Sequence, residues 1–233
     1  MHPLLQDKLA IRSAAKKSQV ASLTLEGMRD RQAEAVLDKY GFNDIWYSFG
    51  ITNPGALTLN NYPSTLQNLS IPLLGPLDLG AVDIIRDRER GVPRYNEFRR
   101  QLGLKPINTF RDLFVRYPED PLPASATATL AKLERLYHGD VEKLDLMIGS
   151  LAETVRPDGY GFGETAFQVF TLMASRRLLS DRFYTVDFRP EVYTQAGFDW
   201  VARRTMKNLI EEHYPALVGS TGIPANAFKP WTP

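Results

Sequence analysis

Three positions in this 233-residue sequence carry side chains whose chemistry stands apart from packing. They are a histidine at position 2, an acid at position 83 ahead of a dense run of charge, and an arginine pair at 176–177. A neutral imidazole offers one nitrogen to a metal while the other donates to a partner that sets its basicity. A guanidinium is permanently charged and can grip a carboxylate through two parallel hydrogen bonds. Each position also has a plainer reading. His2 is a near-terminal residue of the kind that frays, Asp83 is an acid on a helix surface, and Arg176 and Arg177 can extend to solvent and pair with Asp181. His138 and His213 sit at expected helix ends, beside Gly139 and near Pro215, and read as structural. The absence of cysteine excludes disulfides, thiolate metal sites and thiol nucleophiles.

The elements that must position these groups are mainly helical. Residues 84–90 read as the charged end of a helix. Gly91 stops it, and Pro93 can open the next because a first-turn position needs no donor. Tyr95, Phe98 and Leu102 then recur at helical spacing. By periodicity alone, 84–100 is a solvated helix-turn-helix with local ion pairs. Upstream, 24–42 reads as a helix stopped by Gly41, Asn53-Pro54-Gly55 as a turn leading to a short helix, and 63–79 as irregular connection. Downstream, 106–113 suggests a short helix capped by Asn108 or Thr109, and 124–137 an Ala- and Leu-rich helix. Residues 141–153 read as a short apolar helix whose small residues allow close approach. The stretch 165–174 is apolar nearly all round and predicts a buried helix. A last amphipathic helix is expected over 193–214, with Phe198, Val201, Met206, Leu209 and Ile210 on its apolar side. The Gly- and Pro-rich tail, 219–233, is expected to be partly loose.

Composition narrows the function classes. Lys and Arg number 28 against 27 Asp and Glu, a formal charge of +1, so no basic field points to nucleic acid. Hydrophobic content of 43% is ordinary for a globular protein. No apolar run approaches the roughly 18 residues of a membrane span, and no signal peptide is visible. A local patch leaves room for peripheral membrane association. The sequence shows no internal repeat and no Gly-rich phosphate loop.

The charge run itself carries a resemblance. RDRERGVPRYNEFRR resembles the R-x-R-[DE]-x-G-x-P-x-Y-N-x-[FYW]-R signature of the animal-type haem peroxidase and cyclooxygenase superfamily, and its wording is most similar to the fatty-acid α-dioxygenases. Three further stretches resemble the same group: Met1-His2-Pro3-Leu4-Leu5-Gln6-Asp7, residues 55–63, and residues 141–153. The resemblance implies a mainly α, haem-peroxidase-like catalytic domain, of which residues 1–233 form the C-terminal portion. It implies haem b with iron as cofactor, His2 as proximal ligand and Asp83 as the partner that tunes it. Ala174-Ser175-Arg176-Arg177-Leu178 is similar to the α-dioxygenase segment whose second arginine holds the fatty-acid carboxylate, which implies Arg177 for that role.

The activity so implied is oxygenation of long-chain fatty acids at the α carbon to 2-hydroperoxy acids, with dioxygen and a peroxide activator as further partners. In that family a radical tyrosine lies three residues before the proximal histidine, and the distal histidine and calcium loop lie further upstream. None of these positions falls within these residues, so Met1 reads as an internal methionine or a fragment edge. No catalytic residue is therefore assigned, calcium enters only through the upstream part, and this chain alone is expected to be inactive. Secreted members are typically rich in disulfides, so zero cysteines implies an intracellular, cytoplasmic protein. Two rivals stand beside this reading: another haem peroxidase or fatty-acid oxygenase of the superfamily, and a non-enzymatic helical remnant, or a half that complements a separate partner.

Overall fold

The computed structural model describes residues 2–71, 75–219 and 221–232. The chain divides into two compact units, Met1–Leu4 with Ala56–Ser180, and Leu5–Gly55 with Asp181–Pro233. In chain order the elements are β1 (Lys8–Ser13), β2 (Ser18–Thr24), α1 (Arg31–Ile51), α2 (Ser64–Gln67), β3 (Leu69–Ile71) and β4 (Gly75–Leu77). They continue with α3 (Leu79–Glu89), α4 (Tyr95–Gln101), α5 (Thr127–Leu136), α6 (Leu146–Ala152), α7 (Glu164–Ser180), α8 (Pro190–Arg203) and α9 (Met206–His213). The mainly helical expectation holds, with two short antiparallel hairpins added, β1–β2 and β3–β4.

The first unit is built around α4 and α6. Tyr95 opens α4 and is almost fully buried with Phe110, Leu113, Leu133 and Leu144. Helix α6 can lie against that ring because position 149 is glycine: a Cβ there would overlap the Tyr95 side chain. As the sequence predicts, α3 ends before Gly91, whose φ of 69° suits glycine. Pro93, however, precedes the Arg94 cap of α4 and does not sit in its first turn. The expected short helix after Pro106 is a single 3-10 turn, Phe110–Leu113. Its cap is Thr109, and Asp112 reaches back to the backbone nitrogens of Asn108 and Thr109. The irregular connection expected over 63–79 contains α2 and the β3–β4 pair, though Pro72, Leu73 and Leu74 lie outside the described residues.

Helix α7 departs most from expectation. The apolar stretch 165–174, predicted to be buried, is so only in part: Thr165 is buried and Ala166, Phe167 and Ala174 are half-buried, while Phe170 and Met173 face solvent. Towards its C-terminal end Leu178 and Leu179 are exposed as well.

In the second unit, β1 pairs with β2, burying Leu9 and Ile11 against Ile45 of α1. The helix expected over 24–42 is displaced. Thr24 closes a strand, α1 starts at Arg31, and Gly41, at φ 72°, interrupts α1 without ending it. The single helix expected over 193–214 is two. Arg204 and Thr205 leave helical conformation, and Thr205 caps α9 by accepting from the Asn208 nitrogen at 3.2 Å. Ile210 and Leu217 are buried beside Tyr47, and the tail adds Ile223 and Trp231 to that core.

Candidate functional site

His2 lies in a short 3-10 turn, His2–Leu4, and its imidazole meets two residues of the same unit. Nδ1 stands 2.5 Å from the Tyr62 hydroxyl oxygen, and that hydroxyl donates to Asp83 Oδ2 at 3.1 Å. The direct separation from Nδ1 to Asp83 Oδ2 is 3.6 Å, too long for a hydrogen bond. The Tyr62 and His2 rings meet edge-on, with centroids 5.3 Å apart. Burial pushes the Tyr62 phenol above its ordinary range, and the charge and hydrogen bond of Asp83 push it further, so the hydroxyl keeps its proton. The neighbouring residue strengthens the arrangement. Asn61 donates to the carbonyls of Pro3, at 3.0 Å, and Ala56, at 2.7 Å, tying the segment that holds Tyr62 to the backbone beside His2.

Asp83 is presented by α3, which Asp78 caps by accepting from the Ala81 nitrogen at 3.0 Å. The structure thus brings together two of the three residues singled out in the sequence, with Tyr62 between them. His2 Nε2 has no partner among the described residues. An imidazole engaged through Nδ1 and free at Nε2 has the donor set of an axial ligand, so the residues present fit a haem iron at this position. Among the described residues no group of three or more His, Asp or Glu could hold a metal ion such as calcium.

Arg177 lies elsewhere on this unit. It is exposed near the C-terminal end of α7, and neither it nor Arg176 has an acidic partner among the described residues. Asp181 itself accepts from the Phe183 nitrogen at 2.9 Å. Among the described residues no hydrogen bond or ion pair joins Arg177 to His2 or Asp83.

The charge run at 84–100 is only partly solvated and only partly paired within itself: Arg100 pairs with Glu97, and Arg99 is buried. Its other acidic partners come from residues 140–165. Asp145, at the start of α6, accepts from Arg88 Nε at 2.9 Å and Nη2 at 2.6 Å, from Tyr137 at 2.9 Å, and pairs with Arg94. Glu142 accepts from Asn96 at 2.8 Å and Arg100 at 2.6 Å. Glu153, buried, accepts from Tyr95 at 2.6 Å, from the Thr165 nitrogen at 3.0 Å and from the Thr165 hydroxyl. Arg99, buried beside it, donates to Thr165 at 2.8 Å, to Glu164 at 2.6 Å and to the Lys105 carbonyl at 2.7 Å. An open cleft of about 520 Å³ has this Arg99 cluster in its wall; His2, Asp83 and Arg177 do not line it. The signature is a clamp that fixes α3 and α4 on α6, and through α3 it fixes Asp83.

The match to known proteins decides the family. The animal haem peroxidase family model covers residues 1–228. The chain belongs to that family. Alpha-dioxygenase 1 of Arabidopsis thaliana is 37% identical over 246 residues, covering 99% of this chain and 37% of the relative. Alpha-dioxygenase PIOX of Oryza sativa subsp. japonica is 38% identical, covering 99% of this chain and 38% of the relative. The crystal structure of an Oryza sativa fatty acid alpha-dioxygenase variant with palmitic acid superposes with a TM-score of 0.87 at 36% identity. It covers 100% of this chain and 39% of that one. The Arabidopsis thaliana fatty acid alpha-dioxygenase structure gives 0.84 at 37% identity, and this chain again spans 37% of its length. The chain thus spans less than two-fifths of the relatives it matches.

Within this family frame, sequence reasoning passed over Tyr62. The residue falls within the 55–63 stretch, but nothing local marks it as the neighbour of a histidine 60 positions away.

Proposed function

We propose that this chain carries the proximal, substrate-anchoring part of a haem-dependent enzyme that adds dioxygen at the α carbon of a long-chain fatty acid to give a 2-hydroperoxy acid. The observation that carries this reading is His2, held at Nδ1 and free at Nε2. His2 would hold the iron of haem b through Nε2. Haem bound there supplies the one-electron and oxygen chemistry that side chains lack, with peroxide as activator. Asp83 would tune His2 as a ligand. Arg177 offers a bidentate grip to the fatty-acid carboxylate, which orients the chain by its charged end. The named activity of the relatives, and the palmitic acid bound to one of them, support the substrate class.

No described helix is long and apolar enough to cross a membrane. A cytoplasmic setting, with peripheral contact to lipid surfaces where fatty acids reside, goes with the absence of cysteine.

The test is a haem titration of the purified chain followed by its Soret band, with His2→Ala as control. Saturable binding that shifts the band in wild type and is lost in the variant is expected. Equal spectra for the two proteins would overturn the assignment. Palmitic acid binding to the haem-loaded chain, compared with Arg177→Gln, tests the anchor. Loss of the guanidinium is expected to weaken binding about tenfold to a hundredfold, the value of a hydrogen bond to a charged group.

A further inference from the structure

We propose that Tyr62 is a positioning residue, a hydroxyl relay between Asp83 and His2 that fixes which imidazole nitrogen carries the proton. The inference deepens the proposed function and rests on it only for the role of Nε2.

The argument is one of proton inventory. A carboxylate accepts and does not donate, and a phenol has one proton to give. Tyr62 gives that proton to Asp83 Oδ2 at 3.1 Å. The contact of 2.5 Å between the phenol oxygen and His2 Nδ1 is then satisfied only if Nδ1 is the donor. The chain of bonds runs in one direction, from Nδ1–H to the phenol oxygen and from the phenol to the carboxylate. It leaves Nε2 with its lone pair, the form a metal needs. Asp83 alone cannot impose this, because it stands 3.6 Å from Nδ1.

The relay is also held in place. Asn61 straps the Tyr62 segment to the Pro3 carbonyl, and the Tyr62 carbonyl accepts from Gln67 at 2.7 Å. The ring packs edge-on against the imidazole and lies over Gly80, where a Cβ would stand 3.7 Å from it. The neighbouring bonds thus fix Tyr62 from both ends, and the hydroxyl needs no reorganisation to meet the histidine.

The deciding experiment needs no haem. Side-chain ¹⁵N spectra of the chain, recorded above the ordinary imidazole titration range, report the tautomer of each of its three histidines, with His2→Ala assigning the signal. Wild type is expected to show His2 protonated at Nδ1, and Tyr62→Phe to return it towards the Nε2–H form usual for free imidazole. Asp83→Asn is expected to weaken the same preference, and the double variant to add nothing to Tyr62→Phe. A wild-type signal already at Nε2–H, or no change in Tyr62→Phe, would overturn the relay. In the haem-loaded chain the matching readout is the iron–histidine stretching frequency, which Tyr62→Phe should lower as donation from the ring weakens. Failure of haem binding with an intact tautomer result would count against the proposed function and leave the relay standing.

Discussion

The phenol of Tyr95 donates to Glu153 Oε1 across 2.6 Å, although the two residues are 58 positions apart and both are buried. This bond joins the two longest recognisable stretches of the sequence. Arg88, Arg94, Arg99 and Arg100 are each met by an acid from one short segment, Glu142, Asp145 or Glu153, though only Arg99 is buried. Asp83 sits one turn before Arg86 on the helix so fixed, which ties the geometry at His2 to a network with no chemistry of its own.

Removing Glu153 should therefore cost far more than removing Tyr95's hydroxyl. Glu153→Ala leaves the buried Tyr95 hydroxyl and Thr165 nitrogen without that acceptor, and Arg99 with Glu164 as its acid, a loss of about 2–4 kcal/mol at about 1–3 kcal/mol for each orphaned buried group. Tyr95→Phe leaves Glu153 with Thr165 and Arg99 as donors and should cost about 1 kcal/mol. Urea unfolding of the two variants measures both, and equal losses would contradict the network.

Gly149 is expected to resist substitution for a steric reason. An added Cβ overlaps the Tyr95 ring, so Gly149→Ala should cost about 1–3 kcal/mol through overpacking, outweighing a helix-propensity gain of about 1 kcal/mol. In a Tyr95→Ala background the space opens and the same substitution should become neutral or stabilising. Thermal unfolding of the four proteins in this cycle shows whether the sign reverses.

Stability should fall in acid through Asp145. Burial alone would raise its carboxyl, but hydrogen bonds from Arg88 and Tyr137 and the charges of Arg94 and Arg88 outweigh it and hold the group below its ordinary value. A carboxyl depressed by folding stabilises the protein fully above its unfolded value of about 3.9, and that contribution disappears as pH falls through the folded value. Asp145→Asn should accordingly be less stable than wild type near neutrality, with the difference closing below about pH 4. Unfolding midpoints collected from acid to neutral pH test the convergence.

Much of this architecture was legible because local chemistry and tertiary structure agree. Gly91 ends a helix where its positive φ is needed, and Thr109 caps the turn it precedes. Asp83 and His2 came from resemblance, and their meeting depends on a contact that no spacing rule encodes. The second unit was harder. Leu9 and Ile11 alternate as a half-buried strand does, but the run is short and its partner strand is largely polar. The break at Thr205 was signalled by Asn208 three residues later, yet apolar periodicity runs through it and hides the cap. Helix α7 was misjudged for a different reason: an apolar circumference states that a helix wants covering, and says nothing about what covers it.

That uncovered helix yields the last prediction. Side chains already facing solvent lose little when made polar, typically within about 0.5 kcal/mol. Leu172→Gln, Met173→Gln and Leu179→Gln together should therefore leave the unfolding midpoint nearly unchanged, since all three are exposed. Their effect should appear in association. Exposed apolar side chains are where self-association starts, so the wild-type chain should sediment with concentration-dependent mass and the triple variant should not. If the variant instead loses more than about 1 kcal/mol of stability, or wild type stays monomeric at every concentration, these side chains are covered within the chain itself.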